Sequence, residues 1–469
     1  MFENQISDFN KSILGLREFV DLIAPFLDAK QEEHSKPIES LVMSAMINEI
    51  LSNKTEWKEN EKKKFEEMKE KVDSDVLKYY DGKPDDITLI QDSSKEKKEK
   101  KEFKLSYKSN SKIDNHMQKA ASTKMHVELL YKNSFIALIS SAEWFFSEIL
   151  HYYYDKFPES AGVQKKSLTL AELKSFGSVD DAEKYLIDTK IEDILRGSFD
   201  SWLSILKSEL GLKLGYVDPI EDELVEIYQR RNTLVHNGGK VNSIYLSKVK
   251  EAQRKKIKLN DIINIDKAYL DGAIRKLQKT FILIASELWK KLDKDDKKRG
   301  DVLTDIIYEN VQKSRWDICE GLCYFVINDS KLEPIDKLVA QINYWLCKKR
   351  TNQFESIKEE VNKANFSDKK EIFQLALYAL KDDRKSFFQT LPIALDSKQL
   401  NIERLEEFPI FEELRETEEY KKFKATSKHF KQPNKKVDKL VTDKKTKAAA
   451  NSTLPKAGRK SVKKGKSNK

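Results

Sequence analysis

Phe135, Ile139, Ala142, Phe146 and Ile149 recur at 4-3-4-3 spacing. An α-helix turns once every 3.6 residues, so this spacing puts all five on one face of a long helix. Leu270, Ile274, Leu277, Phe281, Ile284 and Leu288 obey the same rule further along the chain. Stacked helices of this kind need few sharp turns, and turn formers are scarce: 14 glycines and 10 prolines in 469 residues. An all-α fold is therefore expected. The length suggests roughly two to four domains, with ample chain for real cores.

Residues 1–91 read as an N-terminal helical region. Phe19, Ile23 and Phe26, then Met43, Ile47 and Ile50, outline two amphipathic helices, and Glu56–Val72 forms a third, rich in Lys and Glu. The turn cluster Asp81-Gly82-Lys83-Pro84-Asp85 and a mixed-charge run at 95–104 lead into a solvated linker assigned to 92–119. An up-and-down bundle of helices is expected over 120–292. Its long first helix closes at Phe157-Pro158, and further helices are expected at 180–188 and 191–210. Asp218-Pro219-Ile220-Glu221 carries a capping-box helix start, and His236-Asn237-Gly238-Gly239 a left-handed helix end.

Residues 300–425 repeat internally. Positions 34 apart match as Val339/Phe373, Ile342/Ala376, Tyr344/Tyr378, Leu346/Leu380, Phe354/Phe388, Ile357/Leu391 and Val361/Leu395. That period is the one of tetratricopeptide helix–turn–helix units. The stretch Phe408-Pro409-Ile410-Phe411, with Leu414, Tyr420 and Phe423, looks like the closing end of such an array.

Charge is unevenly spread. The formal net charge is +9, yet residues 431–469 hold fourteen Lys and Arg against Asp438 and Asp443, a net +12 that leaves −3 on residues 1–430. This tail has almost no large apolar side chains, so it is expected to be disordered. Two roles fit it: attraction to phosphate polyanions through counterion release, or a solvated tail that aids solubility. Overall charge is thus no argument about what the folded body binds.

Other classes are excluded by what the chain lacks. Cys319, Cys323 and Cys347 are too few for a disulfide framework, and no histidine stands near them to complete a zinc set. Reduced thiols are expected. The longest apolar stretches, Phe135–Leu150 and Phe281–Trp289, are short for a membrane span or carry Glu143, Glu148 and Glu287. The opening MFENQISDFNKS has no signal-peptide pattern. A cytoplasmic protein with no membrane contact is the expectation. No Gly-rich phosphate loop, Gly-x-Ser-x-Gly or His-Glu-x-x-His occurs, and neither a metal nor a cofactor is expected.

One constellation carries chemistry. Arg231-Asn232-Thr233-Leu234-Val235-His236 ends the helix that begins near Asp218. An Arg and a His at this spacing are a weak signal alone. Their setting is more specific: Asn beside the Arg, Asn-Gly-Gly after the His, and long apolar helices on either side. Phe135–Leu150 (FIALISSAEWFFSEIL), Leu224–Gly239 (LVEIYQRRNTLVHNGG) and the segment 266–290 resemble the HEPN superfamily in its ribonuclease-type branch. The resemblance rests on the Arg-x4–6-His motif, matched by Arg231, Asn232 and His236, and leaves 1–115 and 293–469 outside it. It implies a helical bundle that forms a homodimer and cleaves RNA without a metal, as in toxin–antitoxin, abortive-infection and CRISPR-associated systems. The alternative is a catalytically inactive dimeric scaffold, with a protein partner held on the repeats.

The residue types agree with that chemistry. In metal-free cleavage the 2′-hydroxyl of RNA attacks the adjacent phosphorus, one group removes its proton, and another protonates the leaving 5′-oxygen. Histidine titrates near neutrality and suits either step. A guanidinium donates two directed hydrogen bonds to the charged phosphorane oxygens. His236 and Arg231 are those types, Asn232 is a polar orienter, and the cations Arg230 and Lys240 are candidate substrate-binding residues. On an ideal helix Arg231 and His236 lie roughly 140° apart, so convergence calls for unwinding around 234–238. A single His poorly serves as both acid and base, so a two-fold dimer pairing the motif helices is expected. The bland alternatives are an Arg paired with Glu223 or Glu226, and a His that only meets the helix dipole.

Overall fold

The computed structural model describes residues 2–54, 56–91, 103–108, 111–162, 168–254 and 256–430. The expectations for the basic tail and for linker residues 92–102 lie outside them. The fold is all-α apart from one small hairpin among the described residues. The chain divides into two compact units, Met1–Cys347 and Lys348–Lys469.

The first unit is built on two long helices, α1 (Phe2–Asn53) and α3 (Ser111–Lys156). Phe2 meets Tyr152, Phe9 meets Phe145 and His34 meets His116, so the two run antiparallel. Between them in sequence come α2 (Glu59–Val76) and the hairpin of β1 (Thr88–Gln91) and β2 (Phe103–Ser106), with Thr88 opposite Ser106. Leu41, Ala45, Val76, Tyr80, Ile87 and Ile113 form a small core that fastens these pieces to the far end of the α1/α3 pair.

Three expectations change here. Residues 111–119 are helix, the first turns of α3, and not linker. The N-terminal region holds one 52-residue helix where two were expected, with Pro25 and Pro37 inside it. A proline in a helix interior costs about 3 kcal/mol or more. Packing along α3 offsets that cost, for Val20 and Ala24 before Pro25 and Leu41 after Pro37 are all buried. The buried stripe of α1 is also out of phase with the expected one. Phe2, Ile6, Phe9, Ile13, Val20 and Ala24 face the core, whereas Phe19 and Phe26 are exposed.

Next come α4 (Leu170–Ser175), α5 (Val179–Leu195), α6 (Phe199–Ser208), α7 (Glu221–His236), α8 (Ser243–Lys248), α9 (Glu251–Arg254) and α10 (Lys267–Leu292). The helix expected at 191–210 is instead the end of α5 and all of α6. The corner between them is closed by Trp202 Nε1, which donates to the Ile194 carbonyl at 2.7 Å. The apolar faces read from sequence are buried as their spacing predicts: Phe135, Ile139, Ala142, Phe146 and Ile149 of α3, and all six residues of α10. Both helices bury further sides as well, because α3 is covered by α1, α5, α7 and α10, and α10 by α1, α3 and α12.

The unit does not stop at 292. Helices α11 (Lys298–Gln312), α12 (Trp316–Asn328) and α13 (Pro334–Arg350) follow; α11 packs on α1 and α10, and α12 on α10. Arg299 and Asp329 form a fully buried ion pair at 2.8 Å, and the guanidinium also donates to the carbonyls of Asp293 and Asp296. Cys319, Cys323 and Cys347 are buried.

The second unit contains α14 (Lys358–Lys363), α15 (Glu371–Leu380), α16 (Arg384–Asp396), α17 (Ile402–Glu407), α18 (Glu412–Arg415) and α19 (Glu418–Thr426). Its core joins Leu375, Phe387, Leu391 and Leu405 to Phe411, Leu414 and Tyr420 of the closing stretch. Within each of the seven position pairs spaced by 34, both residues share the same degree of burial. No helix among the described residues is long and apolar enough to cross a membrane.

If α1 is integral to the bundle, its core side chains should behave as core. Phe9→Ala should destabilise the protein by about 3–5 kcal/mol, while Phe19→Ala should stay within about 0.5 kcal/mol. Denaturant unfolding of the two variants checks this. Equal small effects would mean that α1 is peripheral.

Candidate functional site

The motif helix α7 starts differently from expectation. Asp218–Ile220 form a 3-10 turn, Asp218 accepts from Lys207 Nζ at 3.0 Å, and no side chain caps the first turn of α7. Three acids there, Glu221, Asp222 and Glu223, meet the positive end of the helix dipole instead. The other end follows the sequence. The amides of Asn237 and Gly239 both reach the Thr233 carbonyl at 3.0 Å, and Gly238 and Gly239 take φ of +59° and +88°. Glycine adopts these left-handed angles without steric cost. A Cβ on Gly239 would also stand 3.0 Å from the Ile263 carbonyl.

The helix stays regular through His236, so the expected unwinding is absent. Arg231 and His236 nonetheless line one cavity of about 660 Å³, together with Asn232, Tyr228 and Glu143.

Arg231 is held on two sides. One terminal nitrogen donates to Glu143 Oε2 of α3 at 3.0 Å, and the other to Asn232 Oδ1 at 3.0 Å. Its Nε is buried and meets no acceptor among the described residues. Burial keeps the Glu143 carboxyl above its ordinary value, against the opposing pull of Arg231. Tyr228 lies one turn before Arg231, stacked on Phe199 with ring centroids 4.9 Å apart. Its hydroxyl is buried without a described partner, and burial, then Glu143, push it well above the usual tyrosine range. His236 is exposed at the last turn of the helix.

The other candidates go elsewhere. Arg230 does not line this cavity. Its Nε donates to the buried Glu226 at 2.7 Å, and its guanidinium lies 4.2 Å from the centroid of the Tyr269 ring. Tyr245 and Tyr269 donate to the same Glu226 carboxylate at 2.7 and 2.5 Å. The pairing expected for an arginine of this helix thus belongs to Arg230, while Arg231 finds its acid on α3. Lys240 is exposed, its backbone bridges to Ile262, and its side chain is not part of the cavity lining.

Glu143 and Tyr228 are the residues that sequence reasoning missed. A signal for Glu143 existed: it is an acid inside the longest apolar run, next to the helix face that packs. Among the described residues no group of three or more His, Cys, Asp and Glu side chains is arranged to hold a metal ion. No family model, curated protein or solved structure matches the chain.

The Glu143–Arg231 pair gives a pH-dependent expectation. In Arg231→Gln, Glu143 loses the charge that opposes its burial, so its folded pKa rises further. Ionising it at pH 7 then costs more in the folded than in the unfolded chain, whereas near pH 4 both states hold the proton. Thermal unfolding should show a deficit of about 1–3 kcal/mol at pH 7 that shrinks towards pH 4. A deficit independent of pH would mean that the pair does not couple.

Proposed function

We propose that the cavity lined by Arg231 and His236 is the active site of a metal-independent endoribonuclease of HEPN type. The observation that carries this reading is the meeting of an exposed imidazole and a positioned guanidinium on one cavity, at the end of a rigid helix. Glu143 and Asn232 orient Arg231, each taking one N–H of a terminal nitrogen that carries two. The second N–H of each terminal nitrogen is donor capacity for a phosphate oxygen.

The chemistry runs as an internal transesterification. The 2′-oxygen bonds to phosphorus while a base takes its proton. The bond from phosphorus to the 5′-oxygen breaks, and an acid supplies that oxygen with a proton. The products are a 2′,3′-cyclic phosphate and a 5′-hydroxyl. His236 performs one of the two transfers, and Arg231 stabilises charge on the non-bridging oxygens. The second transfer falls to a second copy of His236 in a homodimer. Trp144 (56% exposed) and Val235 (45% exposed) flank Glu143 and His236 in sequence and offer apolar surface for such pairing. A role in defence against phage or in stress response, and a protein partner on the helix pairs after residue 300, complete the proposal.

One observation favours the alternative, a non-catalytic dimeric scaffold: Glu143 already neutralises Arg231 at 3.0 Å. Incubation of purified protein with RNA separates the two. Under the ribonuclease reading, cleavage persists in EDTA and falls at least about 100-fold in His236→Ala. RNA left intact by the wild type, or cleaved equally by the variant, would give the scaffold reading instead.

A further inference from the structure

Arg17 occupies the buried stripe of α1, at a position where the periodicity calls for an apolar side chain. It is only 7% exposed. Its Nε and one terminal nitrogen are buried, and no described group accepts a hydrogen bond from either. Arg315, in the turn between α11 and α12, also has a buried terminal nitrogen without a described partner. A buried donor left unpaired destabilises the folded state, and more so when it is charged.

The surroundings can be placed from neighbouring contacts. Helices α1 and α10 run antiparallel here: Gln278 donates to Asn10 at 2.8 Å, and Lys267 lies 3.6 Å from Asp21. Arg17 falls between those contacts, opposite Asp271. On the third side Arg275 of α10 pairs with Asp317 of α12 at 3.3 Å, and Arg315 immediately precedes that helix. Ser314 holds Arg315 in position with a left-handed φ of +54°, and the Arg315 amide donates to the Asn310 carbonyl at 2.9 Å. Burial and then the nearby Arg315 lower Arg17 to about 10, so the two cations sense one another. Carboxylates offset this only through space: Asp271 and Asp317 act favourably on Arg17, and Asp21, Asp271 and Glu18 on Arg315. None of them takes up the buried donors, since those of Arg17 and Arg315 stay without a partner while Asp21 and Asp317 are engaged by Lys267 and Arg275.

Two guanidinium groups with unused, buried donors, beside the N-terminus of the 13-residue α12, supply the positive charge and the N–H donors that a tetrahedral oxyanion takes. We propose that Arg17 and Arg315 form a binding site for a phosphate group between α1, α10 and the α11–α12 turn. None of its residues lines the Arg231–His236 cavity, so the site is separate from the proposed ribonuclease chemistry. Free phosphate and the phosphate of a nucleotide share the required chemistry.

Thermal unfolding of the full chain at constant ionic strength tests the site, with chloride exchanged for inorganic phosphate or for adenosine monophosphate. A ligand that binds only the folded state raises the midpoint with the logarithm of its concentration. The wild type should gain several degrees at saturation. The gain should disappear in Arg17→Gln and Arg315→Gln, and return in weakened form in Arg17→Lys. Arg17→Gln should be no less stable than wild type in chloride, since it removes one of two facing charges. A response to phosphate alone identifies the free oxyanion, and a stronger response to the nucleotide identifies a nucleotide phosphate. No wild-type gain over chloride, or an equal gain in both glutamine variants, would overturn the proposal.

Discussion

The first unit depends on an aromatic seam where three helices meet. Phe9 of α1 stacks on Phe145 of α3 with ring centroids 4.3 Å apart, and its edge meets Phe281 of α10 at 6.2 Å. Phe281 also touches Phe146, which stacks on Trp202 of α6 at 4.7 Å. Burying each such ring contributes about 1.5–3 kcal/mol, and each aromatic pair adds about 0.5–1.5 kcal/mol. Helices of this length gain most of their stability from packing of this kind, not from propensity. The seam makes α1 a structural member of the bundle and fixes the axial position of α3.

That fixed position has consequences one layer out. Glu143 lies on the flank of α3, between the buried Ala142 and the exposed Trp144. With α3 immobilised, Glu143 becomes a set anchor for Arg231 at the end of α7. Phe199 and Trp202 support the preceding turn of α7 through Tyr228. The motif therefore sits on helices whose rotamers are limited by packing, and few degrees of freedom remain to be lost when a ligand binds. Two adjacent arginines divide the work. Arg230 is bound into a buried network with Glu226 and two tyrosines, and Arg231 points to the cavity.

Much of the fold was legible because helical periodicity is a local property. The apolar faces of α3 and α10 and the left-handed end at Gly238-Gly239 are readable from spacing. The phase of α1 was not. Its buried stripe contains Asn10 and Arg17, while Phe19, Leu22 and Phe26 are exposed, so hydrophobicity alone selects the wrong face. The N-cap at Asp218 failed for a different reason: Lys207, eleven residues away, takes the carboxylate. The site was half legible. Arg231, Asn232 and His236 stand together in sequence, but Glu143 is 88 residues away and joins them only through tertiary packing.

The central claim is that RNA is cut by its own 2′-oxygen at the Arg231–His236 cavity. An oligoribonucleotide with a mapped cleavage position, compared with the same strand carrying a single 2′-deoxy residue just 5′ of the scissile phosphate, tests it most directly. Cleavage should stop at the substituted position and persist elsewhere, with cyclic phosphate ends on the products. Equal cleavage of the two strands would contradict the account, because hydrolysis by water would then be the reaction.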